Sequence, residues 1–195
     1  YMLLEGQDMG IAAEQILNGL FTSYILLAVP LFILAAELMN SGSMTLRLLA
    51  FCNAFVGRFR GGLALVNVVQ SVIFAGMSGS AIADAAGTGK MMQKMMTEGG
   101  KYPPAFAAAL TASSAVIGPI IPPSIPMILY AASANTSVEQ LFVAGVVPGL
   151  LGAAGLMGVA YLFARRYNFP TEAAFNMPRV RETFVEALPA FTLPV

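Results

Sequence analysis

An all-α integral membrane protein is the fold class that this 195-residue sequence predicts, and three observations carry the prediction. Hydrophobic residues make up 57% of the chain and charged residues 10%, against roughly 25% charged in a soluble domain. Two stretches, residues 16–39 and 141–164, have the ~20 apolar residues that a helix needs to cross a bilayer. Two longer apolar blocks, 61–89 and 104–134, are interrupted near their middles, the first by Gly and Ser and the second by Pro.

Composition also excludes. The formal net charge is +0, so no basic field argues for nucleic acid. A single cysteine, Cys52, rules out an internal disulfide, and with no histidine there is no basis for a transition-metal site or a histidine-based catalytic constellation. Residues 87–90, GTGK, match only the tail of a phosphate-binding loop: Asp84 stands at the first glycine position and Met91 follows the lysine. The opening YMLLEGQDMG has no basic segment ahead of an apolar core, so no signal peptide is read, and the closing FTLPV stops as a further apolar segment begins. The chain reads as a piece of a longer polypeptide, without enzymatic chemistry and without a cofactor.

Residues 16–39 form the first expected span, with Glu37 at its interfacial end. Residues 44–59, MTLRLLAFCNAFVGRF, space Arg47 and Arg58 among apolar residues and predict an amphipathic helix lying at the interface. For the block 61–89 the distribution of basic residues decides the path. If it crosses, Arg47, Arg58 and Arg60 end on one face and Lys90, Lys94, Lys101, Arg165 and Arg166 on the other. If it enters and returns, all eight share one face, as the positive-inside rule requires, with Glu5, Asp8 and Glu14 opposite. The block is therefore predicted to be a re-entrant hairpin with its tip at residues 77–80. Each arm, at about 15 residues, is about 22 Å long, past the bilayer midplane but not across it.

A turn at membrane depth exposes backbone polar groups that lipid cannot satisfy, so it persists only where protein, water or an ion does so. Gly76 and Gly79 permit the turn, while Ser78 and Ser80 add hydroxyl ligands or caps. Close helix packing is the bland alternative for such small residues. In the second block, TASSAVIGPIIPPSIPM, Pro119, Pro122, Pro123 and Pro126 exclude a continuous helix, since one interior proline costs roughly 3 kcal/mol. Freed carbonyls and the hydroxyls of Ser113, Ser114 and Ser124 are hard oxygen donors suited to Na+. Helices broken near the midplane are how secondary transporters hold coupling ions and anionic substrates. Asp84 reads either as a first-turn acid favoured by the helix dipole or as part of the site. The run KMMQKMM reads as an interfacial continuation of the second arm. Residues 141–166 are the next span, ending in Arg165 and Arg166, and residues 167–195 are a polar connector leading into a next segment.

FAGMSGSAIADAAGTG, YPPAFAAALTASSAVIGPIIPPSIPMILYA and LFVAGVVPGLLGAAGLMGVAYLFARR together resemble the large membrane subunit of the tripartite ATP-independent periplasmic (TRAP) transporters of bacteria and archaea. The resemblance implies an elevator-type secondary transporter of the cytoplasmic (inner) membrane, built from two inverted repeats, with this chain holding most of the first. It implies Na+ as coupling ion, an organic acid anion (a C4-dicarboxylate, 2-oxo acid or sialic acid) as substrate, and two partners: a periplasmic substrate-binding protein and a small four-helix membrane subunit. Residues 1–60 would be scaffold, 61–134 part of the mobile transport domain (hairpin about 61–97, broken helix about 104–134). Carried onto this sequence, Ser78, Gly79 and Ser80 would face Ser113, Ser114 and Gly118 to form a Na+ site. Ser80, Asp84, Pro122, Pro123 and Ser124 would meet the substrate. The competing readings are a binding-protein-independent Na+/dicarboxylate carrier of similar architecture, a noncatalytic membrane scaffold, and an intramembrane enzyme completed by another segment.

Overall fold

A computed structural model of the chain describes residues 44–172 and 177–192, together with scattered positions before them (Gly10, Glu14, Leu17, Asn18, 28–31, 33–35 and Glu37). The expected span at 16–39 thus lies largely outside the described residues. Among those described, every element is helical: α1 (Met44–Val56), α2 (Gly62–Ser78), α3 (Ala81–Ala86), α4 (Thr88–Thr97), a 3-10 turn (Glu98–Gly100), α5 (Pro104–Ala115), α6 (Ile125–Ala134), α7 (Val138–Arg166) and α8 (Met177–Thr192).

The expected amphipathic helix is α1. It buries Leu48, Leu49, Cys52 and Val56, a stripe at helical spacing, and exposes Leu46, Arg47 and Phe55. Burial pushes the Cys52 thiol up to about 12, so it is unreactive at neutral pH. Residues 177–192, in the stretch expected to connect onward, form α8, which lies on α1. Phe184 meets Phe51 with ring centroids 5.5 Å apart, and Ala187 joins Leu48, Phe74 and Met77 in a buried cluster.

The centre of the structure is α2, whose 17 residues span about 26 Å at 1.5 Å each. It is apolar nearly all round, as a helix enclosed by others must be, and α1, α4, α5 and α7 pack against it. It ends at Gly79, which adopts the left-handed conformation (φ 58°) that closes helices at low steric cost. Ser80 then caps α3, its hydroxyl accepting from the Ala83 N–H at 3.3 Å. The chain reverses here, because Asn67 near the start of α2 lies beside Met96 near the end of α4, with Nδ2 and Sδ 3.9 Å apart. The return arm is itself divided at Gly87 (φ −86°, ψ −97°), a break that neither proline nor a polar run announces.

The chain is stitched at the open end of this hairpin. The Gly61 N–H donates to the Pro170 carbonyl (3.1 Å), the Glu172 N–H donates to the Gly57 carbonyl (3.1 Å), and Lys101 pairs with Glu172 at 3.0 Å. Tyr102, 1% exposed, packs on Phe169 with centroids 4.7 Å apart. Burial, with the Glu172 carboxylate adding to it, pushes the Tyr102 hydroxyl up to about 12. Both ends of the hairpin and the end of α7 therefore lie together.

Among the described residues, α7 is the one helix long and apolar enough to cross a membrane. It has 29 residues, about 43 Å long, with a mean hydropathy of 1.9 in its most apolar window. Its buried side is a row of small residues, Gly145, Gly149, Ala153, Ala160 and Ala164, which lets the neighbouring backbone approach closely. Val143, Val147, Leu151 and Leu162 point outward.

Candidate functional site

The prolines end α5 where the sequence requires. After Ala115 the backbone makes tight turns through Ile121, then the peptide between Pro122 and Pro123, which is cis, leads to Ser124 and α6. Ser124 is fully buried and bonds twice. Its hydroxyl donates to the Pro119 carbonyl at 2.6 Å and accepts from the Met127 N–H at 3.3 Å, satisfying one carbonyl freed by the break and one donor at the start of α6. Pro126 sits in the first turn of α6, where its missing N–H costs nothing.

The hairpin tip seats directly in this break. The Ile125 N–H approaches the Gly79 carbonyl at 3.4 Å. A Cβ added at Gly79 would strike the Pro123 carbonyl oxygen and come within 3.1 Å of the Ile125 nitrogen, and one added at Gly118 would lie 3.3 Å from the Ser80 carbonyl carbon. Only glycines allow backbones this close. Ser78, buried, receives the Ser80 N–H on its hydroxyl at 3.4 Å. The ends of α2 and α5 and the starts of α3 and α6 thus converge on one point, where neutral hydroxyl and carbonyl oxygens are the available donors. Such oxygens suit a hard monovalent cation, and helix starts suit an anion.

Of the residues expected here, the structure brings together Ser78, Gly79, Ser80, Gly118, Pro122, Pro123 and Ser124. Ser114 is adjacent in the chain but serves elsewhere: buried on α5, it accepts from the Ser71 hydroxyl (3.0 Å) and donates to the Thr111 carbonyl (3.0 Å). Ser113 faces the opposite way, into an apolar cavity of about 500 Å³ between α5 and α7 lined by Phe106, Leu110, Leu156 and Phe163. Asp84 turns away from the tip into the interior, where its carboxylate accepts from the Thr88 hydroxyl at 2.6 Å. Glu37, read from sequence as interfacial, borders a cavity of about 470 Å³ shared with Ser78, Ser80, Ile82 and Ala83. The sequence signal for the interior polar set is the spacing of Asn67 and Ser71, four residues apart on one face of a largely apolar helix.

The whole chain, residues 1–195, matches the family described as the DctM component of the tripartite ATP-independent periplasmic transporter. The chain belongs to the DctM family. Its relatives include the sialic acid TRAP transporter large permease protein SiaM of Vibrio cholerae, 39% identical over 194 residues, which are 100% of this chain and 45% of that protein. The 2,3-diketo-L-gulonate TRAP transporter large permease protein YiaN of Escherichia coli is 40% identical over 96% of this chain and 44% of that protein. The C4-dicarboxylate TRAP transporter large permease protein DctM of Pseudomonas aeruginosa is 45% identical over 80% and 35%. This DctM-family chain spans less than half the length of these curated relatives. The tip and the break therefore sit in a family of transport proteins, in a segment that matches only part of each.

Proposed function

We propose that this chain is the first-repeat half of the large subunit of a Na+-coupled secondary transporter in a bacterial or archaeal cytoplasmic membrane. The transporter imports an organic acid anion handed over by a periplasmic binding protein, with a small four-helix subunit completing the scaffold. One observation carries the reading: the hairpin tip at Ser78, Gly79 and Ser80 is seated in the break around Gly118 and Ser124, so two interrupted elements share one oxygen-rich point. Na+ is held by the Ser78 hydroxyl and neighbouring carbonyls, and the carboxylate of the substrate meets Ser80, Pro122, Pro123 and Ser124. The relatives' names agree in one respect, since sialic acid, diketogulonate and C4-dicarboxylates all carry a carboxylate.

The hairpin enters from the cytoplasmic face and returns. The stitching of its two ends to the end of α7 supports this, because Arg58, Arg60, Lys101, Arg165 and Arg166 then lie on one side. Residues 61–134 travel as one body against the scaffold, α2 and α5 being bonded through Ser71–Ser114 and Asn67–Thr111.

Sided thiol labelling of the full-length protein tests the path. Cysteines replacing Arg58 and Thr97 are expected to label from the cytoplasmic side alone, with the buried Cys52 silent; labelling from opposite faces means a plain span and removes the mechanism. Uptake tests the function. In proteoliposomes with both partners, a Na+ gradient is expected to drive accumulation of one carboxylate from a panel of dicarboxylates, 2-oxo acids and sialic acid. Ser78→Ala should raise the half-saturating Na+ about tenfold, the equivalent of one lost ligand at about 1.4 kcal/mol. Full uptake without the binding protein would favour the partner-independent carrier, and unchanged Na+ dependence in Ser78→Ala would favour a tip that only packs.

A further inference from the structure

Behind the tip, α2, α3, α4 and α5 enclose a second set of oxygens. Asp84, Ser71, Thr88 and Thr111 are each 2% exposed, Asn67 is 1% exposed and Ser114 is fully buried. Their hydrogen bonds have a direction. Thr88 donates its one hydroxyl proton to Asp84 Oδ1 at 2.6 Å. The Ser71 hydroxyl faces the Asp84 carboxylate, yet it donates to Ser114 Oγ at 3.0 Å, and Ser114 donates onward to the Thr111 carbonyl. Asn67 Nδ2 donates to Thr111 Oγ1 at 2.8 Å. The Ser71 and Ser114 hydroxyls thus donate away from the carboxylate, and Asp84 Oδ2 has no hydrogen-bond partner.

A buried carboxylate oxygen without a donor, and with no ion pair to it among the described residues, calls for something positive. Among the described residues the one ion pair is Lys101–Glu172, at the far end of the hairpin, and no group of three His, Cys, Asp or Glu side chains exists to hold a multivalent metal. One carboxylate surrounded by neutral hydroxyl oxygens balances one positive charge, and oxygen donors select a hard ion.

We propose that Asp84, with Ser71 and Thr88, forms an interior site for one monovalent cation, Na+, separate from the ion held at the hairpin tip. The site lies one helical turn beyond the Ser80 cap and is shut off by α5, so an ion there ties the return arm of the hairpin to α2. This inference rests on the Na+-coupled reading above and adds to it a second ion in the same repeat. Asp84 thereby acts as an ion ligand and not as a contact for the substrate.

The test is equilibrium binding of radioactive Na+ to the purified full-length protein, alongside the Na+ dependence of its thermal unfolding. Asp84→Asn is expected to bind one Na+ fewer per transporter than the wild type, while Ser78→Ala weakens a different ion, so that the two losses add in the double variant. Should Asp84→Asn fail to fold, Ser71→Ala and Thr88→Val each remove one oxygen and keep the carboxylate. Each is expected to raise the half-saturating Na+ of one site about tenfold. If the wild type binds no Na+, the coupled reading falls and this site with it. If the wild type binds Na+ and the Asp84 and Ser71 variants bind the same number with the same affinity, only the interior site is overturned, and Asp84 carries a proton instead.

Discussion

Under the proposed Na+-coupled function, Gly79→Val is expected to abolish uptake by the full-length protein, with a fall on the order of a hundredfold or more. Two costs combine. Valine at φ 58° carries the left-handed penalty of about 1–2 kcal/mol, raised by branching at Cβ. Its Cβ also collides with the Pro123 carbonyl oxygen and crowds the Ile125 nitrogen, so the tip must withdraw from the break. A combined loss near 3 kcal/mol corresponds to on the order of a hundredfold in ion affinity. Gly99→Ala is the control. It has the same handedness, φ 68°, but nothing lies within 4 Å of the added atom, so it bears the backbone cost without the collision. Uptake should persist in Gly99→Ala and vanish in Gly79→Val; equal losses in both would mean that backbone strain alone, and not the seating of the tip, governs transport.

The second large effect is expected at Gly145 on α7. A Cβ there would lie 2.6 Å from the Ile120 carbonyl oxygen and 2.6 Å from Met127 Cε, one on the broken stretch and the other on α6. Gly145→Leu therefore pushes α7 away from the break, and overpacking of this kind costs about 1–3 kcal/mol. Because the displaced carbonyl belongs to the stretch that holds the tip, the loss should appear both as a lower unfolding temperature in detergent and as a raised Na+ requirement for uptake. Gly152, two turns further along the same helix, has open space around its added Cβ. Gly152→Leu should change neither quantity in this half of the protein. A Gly145 variant as stable as Gly152→Leu would show that α7 does not brace the break.

The sequence carries its message most clearly where backbone chemistry is forced. Three prolines, Pro119, Pro122 and Pro123, leave the stretch from Val116 to Ser124 no helical option, and a Gly between two serines marks a stop and a cap, so both breaks are legible in the sequence. Helix phase is another matter. α5 reads PAFAAALTASSA, small or apolar on every side, so nothing in it tells which of Ser113 and Ser114 turns inward. A rotation of about 100° per residue sends the first toward an apolar cavity and the second to Ser71. Asp84 is hidden for the same reason: its distance from Ser80 is readable, but its direction depends on the break at Gly87, for which Gly-Thr-Gly is too common a signal. Glu37 is close to the tip cavity through tertiary folding alone, which no local pattern reports.

The bonds that close the open end of the hairpin also impose an order on synthesis. The Gly61 N–H finds its acceptor at Pro170, and the Gly57 carbonyl its donor at Glu172, only after roughly a hundred further residues have left the ribosome. At about 5–20 residues per second that is a wait on the order of ten seconds. Until then the base of the helical hairpin has no latch, and it is fastened only when the residues that follow the C-terminal end of α7 arrive.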